Sequence, residues 1–502
     1  MLVDQNGLPD GQLNVGGLGA TTVNGGAPFV ANGVTAGIVA NLGAGSDNLI
    51  VSIANVQGGL AVDDPAGADT VTVQAAILGG DVGLRFGGAG DDSFTIVNGA
   101  GIDGGLTVRG EAVTDVLVQN GSLIAGDVKA TIASGTVLVF ASTVRGKLAV
   151  KSGDAGEDVV QVQHGAIVLG DAVLSLGEGF SQVQLQNGAT VAGKLDVKAG
   201  DGPMTIQLHG TSAVGTNLKV KIGDGPCVVD LDSSDVGGQF DLKTGSGPLL
   251  FWIQNESSTG GGVKVKRGDA DSTIVVDSGS TIGGAFEVSS GARDDTVVVA
   301  KDATVRGKLK AALGDGVGLV LVALGAIIEG TLDVKLGDDG DQVRFETGAV
   351  VLGGAKLVLG NGANTVDLLD AAGIEGKLNV KTGAGDDTFT MTRTTVTGDT
   401  MLKLGAGANQ IAMDGAIFDR KVTVTTGIDD DTLTAVGTFM DGDTKILVGN
   451  GNNQVRVTNS TYEADLTVKA GSGDDVLDLT GTILPGDVTV DLDGGSNQVT
   501  LP

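Results

Sequence analysis

The sequence predicts an all-β chain wound as a single elongated parallel β-helix, a β-solenoid with three faces. Three observations carry that expectation: short apolar alternations, Gly-rich turns between them, and one period that both obey. The clearest unit runs from Lys377 to Gly398. Leu378 and Val380, then Phe389 and Met391, then Val396 stand at strand spacing, which turns one side of each short strand inward. The Gly383-Ala384-Gly385-Asp386-Asp387 turn separates the first two strands. Glycine there supplies backbone angles that other residues avoid, and Asp bonds its own backbone. Gly398 makes a second corner.

The first apolar residue after each Gly-rich turn serves as an anchor. Anchors recur from Leu49 through Phe94, Val159, Val343, Val366 and Phe389 to Val499, 450 residues in twenty steps, a mean of 22.5. Val23 adds one more with looser spacing, so 21 to 22 coils of 22 to 23 residues are expected. A coil of this kind cannot bury its own inner face. Stacking coil on coil pairs equivalent strands in parallel and joins their Val, Leu and Phe rows into one core. The coil length suits three faces with short corners and a right-handed winding.

Composition narrows the function. With 87 glycines in 502 residues the chain lacks the every-third spacing of collagen, and it holds too much Val, Ile and Leu for a disordered linker. A formal net charge of −30 and the absence of a basic stripe argue against nucleic acid as a partner. Cys227 is the single cysteine, which rules out an intrachain disulfide and a thiolate metal cluster. No apolar run has the length of a membrane span, and the first residues show no signal-peptide pattern.

In chain order, residues 1–42 are the least regular and read as irregular first coils or an N-terminal interface. A continuous solenoid is expected over 43–502. Within 200–250 the turns become Gly-x-Gly-Pro, as at Gly202-Pro203, Gly225-Pro226 and Gly247-Pro248, and the following Met204, Cys227 and Leu249 replace the acidic row. Over 337–499 the residue two before the anchor alternates Asp and Asn: Asp341, Asn364, Asp387, Asn409, Asp431, Asn453, Asp475, Asn497. A line of second-corner glycines, including Gly284, Gly307, Gly330, Gly353, Gly376 and Gly398, is expected at positive φ. Lysines such as Lys198, Lys221, Lys381 and Lys403, two residues before the Gly-rich turn, should point outward.

The turn Gly87-Gly88-Ala89-Gly90-Asp91-Asp92-Ser93-Phe94 resembles the calcium-binding nonapeptide of bacterial RTX secreted proteins. That family places two such turns in each coil and this chain has one, so the resemblance covers a corner and not the coil. Gly383 to Phe389 and Gly471 to Leu477 resemble shorter versions of the same turn. The resemblance implies Ca²⁺ as the cofactor. Because calcium takes six to eight oxygens, which stacked turns can offer together, Asp91, Asp92, Asp386, Asp387, Asp430, Asp431, Asp474 and Asp475 are the candidate ligands. The competing reading is a ladder in which Asp and Asn bond along the stack and Asn doubles the spacing of like charges. His164 and His209 lie two coils apart and suit surface or corner roles.

Repetition of the carboxylates predicts a structural ladder, whereas an active site would be a local exception. The expected role is therefore a structural protein and not an enzyme. Aligning Leu477–Val490 with Met1–Val15 brings their Leu-Pro pairs into phase, so the two ends could continue into each other. Head-to-tail stacking of copies follows, with Met1, Leu2, Val3, Leu8 and Pro9 meeting Val499, Leu501 and Pro502. The architecture resembles the rod regions of bacterial surface adhesins and fibres, which implies an extracellular or cell-surface filament subunit, with surface glycan or matrix as a further contact. The alternatives are a monomeric adhesin-like or calcium-stabilised secreted rod and, last, a polysaccharide-active enzyme.

Overall fold

Alternation along short strands decides which side chains meet, and the coordinates follow it coil by coil. The structure is a computed structural model that describes residues 36–154 and 156–502, together with the backbone of three earlier strands, Leu2–Asp4, Gln12–Gly16 and Phe29–Asn32. The described residues are all-β with no helix, and three parallel sheets build a β-solenoid of about 20 turns. The chain divides into two compact units, Met1–Gly247 and Pro248–Pro502. Val23, Met1, Leu8 and Pro9 lie outside the described residues, as do the side chains of Leu2 and Val3.

In the N-terminal unit each coil gives an anchor strand, a two-residue strand and a strand that ends near the Gly-rich turn. Asp92–Val97, Gly101–Ile102 and Leu106–Gly110 are one such set. The anchor strands stack in parallel register, Leu49 on Val71, Val71 on Phe94 and Phe94 on Val116. One anchor differs from the expectation. Val160, not Val159, stands between Val137 and Val183. The strand Asp158–Gln163 has two adjacent valines, and only the phase that buries Val160 and Val162 also buries Asp158 in the inner row. Leu2–Asp4 runs parallel to Asn48–Ser52, and Gln12–Gly16 and Phe29–Asn32 follow antiparallel.

The C-terminal unit repeats the same plan. Val343, Val366 and Phe389 are vertical neighbours in one interior column, fully buried or nearly so. Val351, Ile374, Val396 and Phe418 form the column of the two-residue strands. Val334, Leu357, Val380 and Leu402 form the third. Lys335, Lys381 and Lys403 face solvent as expected, because they are one residue out of phase with that third column.

Glycine has two separate uses. In the Gly-x-Gly turn the second glycine takes positive φ, +139° at Gly385 and +144° at Gly473. The second-corner glycines do not: Gly284, Gly307, Gly330, Gly353, Gly376 and Gly398 all lie outside the left-handed region. They are small because the coils press together. A Cβ on Gly398 would stand 2.5 Å from the carbonyl carbon and oxygen of Gly376 in the coil below. Positive φ at non-glycine residues falls instead where the anchor strand turns into the two-residue strand, at Asn98, Asn120, His164 and Asn187. Asn tolerates that conformation best among side chains.

Candidate functional site: the inner row of carboxylates

The residue two before each anchor points inward at the corner where the Gly-rich turn closes. Its side chain is therefore buried beside backbone N–H and C=O groups that need partners. In the C-terminal unit the alternating row meets that need as a ladder. Each member from Asp341 to Asp475 donates its backbone N–H to the Oδ1 of the residue one coil on, at 2.9–3.2 Å. The Asn members add what Asp lacks, a donor. Asn364 Nδ2 bonds the carbonyls of Gly360 and Gly362 in its own turn and the Asp387 carboxylate at 2.9 Å. Asn409 and Asn453 do the same towards Asp431 and Asp475. With strands about 4.8 Å apart, alternation keeps carboxylates roughly 9.5 Å from one another.

The paired Asp residues of each turn therefore part company. Asp387, Asp431 and Asp475 are buried in the ladder, while Asp386, Asp430 and Asp474 are exposed on the outer side of the turn. The outer three accept backbone N–H bonds from Ala408, Asn452 and Ser496. Asp386, Asp429 and Asp430 line an open acidic depression around Gly407 and Ala408. Asp91 is exposed and Asp92 buried, the same division.

Burial holds the carboxyls of Asp341, Asp387 and Asp431 above the usual range. Asp341 is pushed up to about 7 by burial, against which the Gly318 N–H bond works. Asp387 and Asp431 are raised for the same first reason, with Thr382 and Thr426 hydroxyls opposing. A carboxyl raised in the folded state binds its proton more tightly there than in the unfolded chain. Its contribution is complete below the unfolded value near 3.8 and is lost as pH rises to about 7. Asp341→Asn removes the titration while keeping an acceptor for Gly318 and Asp341's backbone bond to Asn364. Thermal or denaturant unfolding should find the variant more stable than the parent at pH 8, by up to about 4 kcal/mol at about 1.4 kcal/mol per pKa unit, with the gap closing towards pH 4.

One stretch of the row, outside the alternating part, stacks carboxylates on successive coils. In the N-terminal unit Asp47, Asp69 and Asp92 follow one another with no Asn between them, joined by N–H bonds from Asp47 to Asp69 at 2.6 Å and from Asp69 to Asp92 at 3.1 Å. Asp64, at the end of the strand Leu60–Asp64, faces the same corner. Asp64, Asp69 and Asp92 are all buried, and one carboxylate oxygen of each lies within 4.8 Å of the others. Three buried acids so placed could hold a metal ion. Among the described residues this is the one such group.

Of the acidic residues expected to bind calcium, the group contains Asp92. Asp64 and Asp69 were not foreseen, although the run of Asp at successive row positions was a readable signal. His164 sits at a corner with φ of 55° and packs its ring on Phe140 at 4.4 Å. His209 Nε2 lies 2.9 Å from Asp230 Oδ2. Cys227 is buried in the inner row, and burial pushes its thiol up to about 12, which keeps it protonated.

The predicted contact residues Val499, Leu501 and Pro502 are exposed on the coil formed by Val488–Leu492 and Gln498–Thr500. No helix among the described residues is long and apolar enough to cross a membrane. No protein-family model matches the chain, and no curated protein or solved structure does either.

Proposed function

We propose that the chain is a structural subunit that associates by stacking coil on coil with a second copy of itself, in an extracellular or cell-surface filament. The observation that carries this reading is one coil plan repeated in parallel register along the described residues, down to the coil of Val488–Leu492 and Gln498–Thr500. Its strands pair on one side with Leu466–Ala470 and Val476–Asp478. Parallel strand edges backed by an apolar row are a template for another coil of the same plan. Carboxylates that recur in register along the stack, rather than meeting in a walled cleft, favour a structural role over catalysis.

The test is assembly of the purified full chain, followed by light scattering over a concentration series and by negative-stain microscopy. Assemblies that lengthen with concentration are expected. The double variant Val499→Lys and Leu501→Lys should stay monomeric with an unchanged unfolding midpoint, because both side chains are already at the surface. Monomers at every concentration, or a variant that assembles like the parent, would overturn the reading.

A further inference from the structure

Most other buried row carboxylates have a side-chain donor or a cation across the corner. Ser152 Oγ donates to Asp158 at 2.5 Å, and Arg267 reaches Asp295 at 2.8 Å with Ser272 bonded to the same oxygen. In the alternating row, Asn364, Asn409 and Asn453 donate to Asp387, Asp431 and Asp475, and Gly318 N–H donates to Asp341. Across from Asp69 stands Asp64, a second carboxylate. In the next coil the residue in register with Asp64 is Phe86, which offers Asp92 no donor.

Other row carboxylates keep one unpartnered oxygen each, as Oδ2 of Asp341, Asp387, Asp431 and Asp475 do, and the Asp64 corner differs in gathering four. Backbone N–H groups take one oxygen of Asp69 and one of Asp92. Both oxygens of Asp64, and Oδ2 of Asp69 and of Asp92, are buried with no hydrogen-bond partner. Asp64 is 1% exposed and Asp69 fully buried, so bulk solvent does not reach them. Unpaired buried carboxylates are costly, and a positive charge or a proton must answer them. Burial, then the Asp69 carboxylate beside it, pushes Asp64 up to about 7, which shows how poorly the corner tolerates its own charge.

We propose that Asp64, Asp69 and Asp92 bind one hard divalent cation of the calcium class, which joins the Leu60–Asp64 coil to the Asp92–Val97 coil. Two oxygens on one calcium ion, at about 2.4 Å each, stand at most about 4.8 Å apart, and the three carboxylates each offer an oxygen within that limit of the others. Magnesium demands a near-ideal octahedron and gives up its water reluctantly, so it suits a buried all-carboxylate corner less well. An all-carboxylate donor set excludes the soft metals. The four unpartnered oxygens are the ligands, and carbonyl oxygen or water completes the shell. The site departs from the corner resemblance noted in the sequence, because Asp64 belongs to no Gly-rich turn.

The experiment uses the full chain, freed of metal with chelator, and calcium chloride alone as the probe. Calorimetric titration and unfolding midpoints are read at pH 7.5, with magnesium chloride as a parallel arm. Calcium at one equivalent is expected to bind and raise the midpoint, with magnesium at least tenfold weaker. Asp64→Asn should raise the midpoint of the metal-free protein and abolish the calcium-dependent rise, a reversal of sign that a damaged fold cannot mimic. Asp387→Asn, in the alternating row, should leave calcium binding unchanged. A metal-free midpoint that calcium does not move, or full binding retained by Asp64→Asn, would overturn the site and assign the corner to a shared proton. Neither result bears on self-assembly, which is read by scattering.

Discussion

Replacing Asn364 by Asp is expected to destabilise the C-terminal unit by about 3–5 kcal/mol, the usual cost of a buried charge left without a partner. The substitution changes one atom and almost no volume, so packing is not the cause. It removes the Nδ2 donor from the Gly360 and Gly362 carbonyls and from Asp387. It also places a third carboxylate between Asp341 and Asp387, so that three negative side chains stack at single-coil spacing. Urea unfolding at pH 7.5 measures the loss, and lowering the pH should recover much of it as the new carboxyl protonates. Equal stability of the variant and parent at pH 7.5 would mean that alternation is incidental.

Gly398→Ala is the second large effect, expected at about 3 kcal/mol, the upper part of the range for forcing atoms into a packed interior. Its Cβ would sit 2.5 Å from Gly376 backbone atoms, which belong to a rigid neighbouring coil and cannot rotate away. Gly373→Ala is the matched control. Gly373 also has no positive φ, yet a Cβ there meets nothing within 4 Å. Its replacement should be neutral or slightly stabilising, since Ala lowers the entropy of the unfolded chain. Equal losses at the two positions would show that loss of glycine flexibility, and not coil contact, sets the cost.

The two substitutions mark how far the fold can be read from the chain. The column Val343, Val366 and Phe389 was legible because alternation and turn chemistry are local, and because a period repeated many times averages out irregular coils. Outward lysines followed from the same phase. The Asp158-Val159-Val160 segment was not decided locally, since two adjacent valines fit either phase. Pairing with Val137 and Val183 on the neighbouring coils made the choice. Glycine at the second corner was visible, but its reason was not: a conserved spacing of small residues looks the same whether backbone angle or close approach demands it.

By itself the sequence determined the winding, three short strands per coil and inner rows of Val, Leu and Phe, because each depends on residues a few positions apart. It also displayed the Asp and Asn alternation. Only the tertiary structure decided which carboxylates meet. Asp64 and Asp69 face each other across a turn, and Asp92 is 23 residues beyond Asp69 yet directly joined to it. Charges interact through space, so the partners of an inward carboxylate are set by the coil above and the strand opposite, not by its neighbours along the chain.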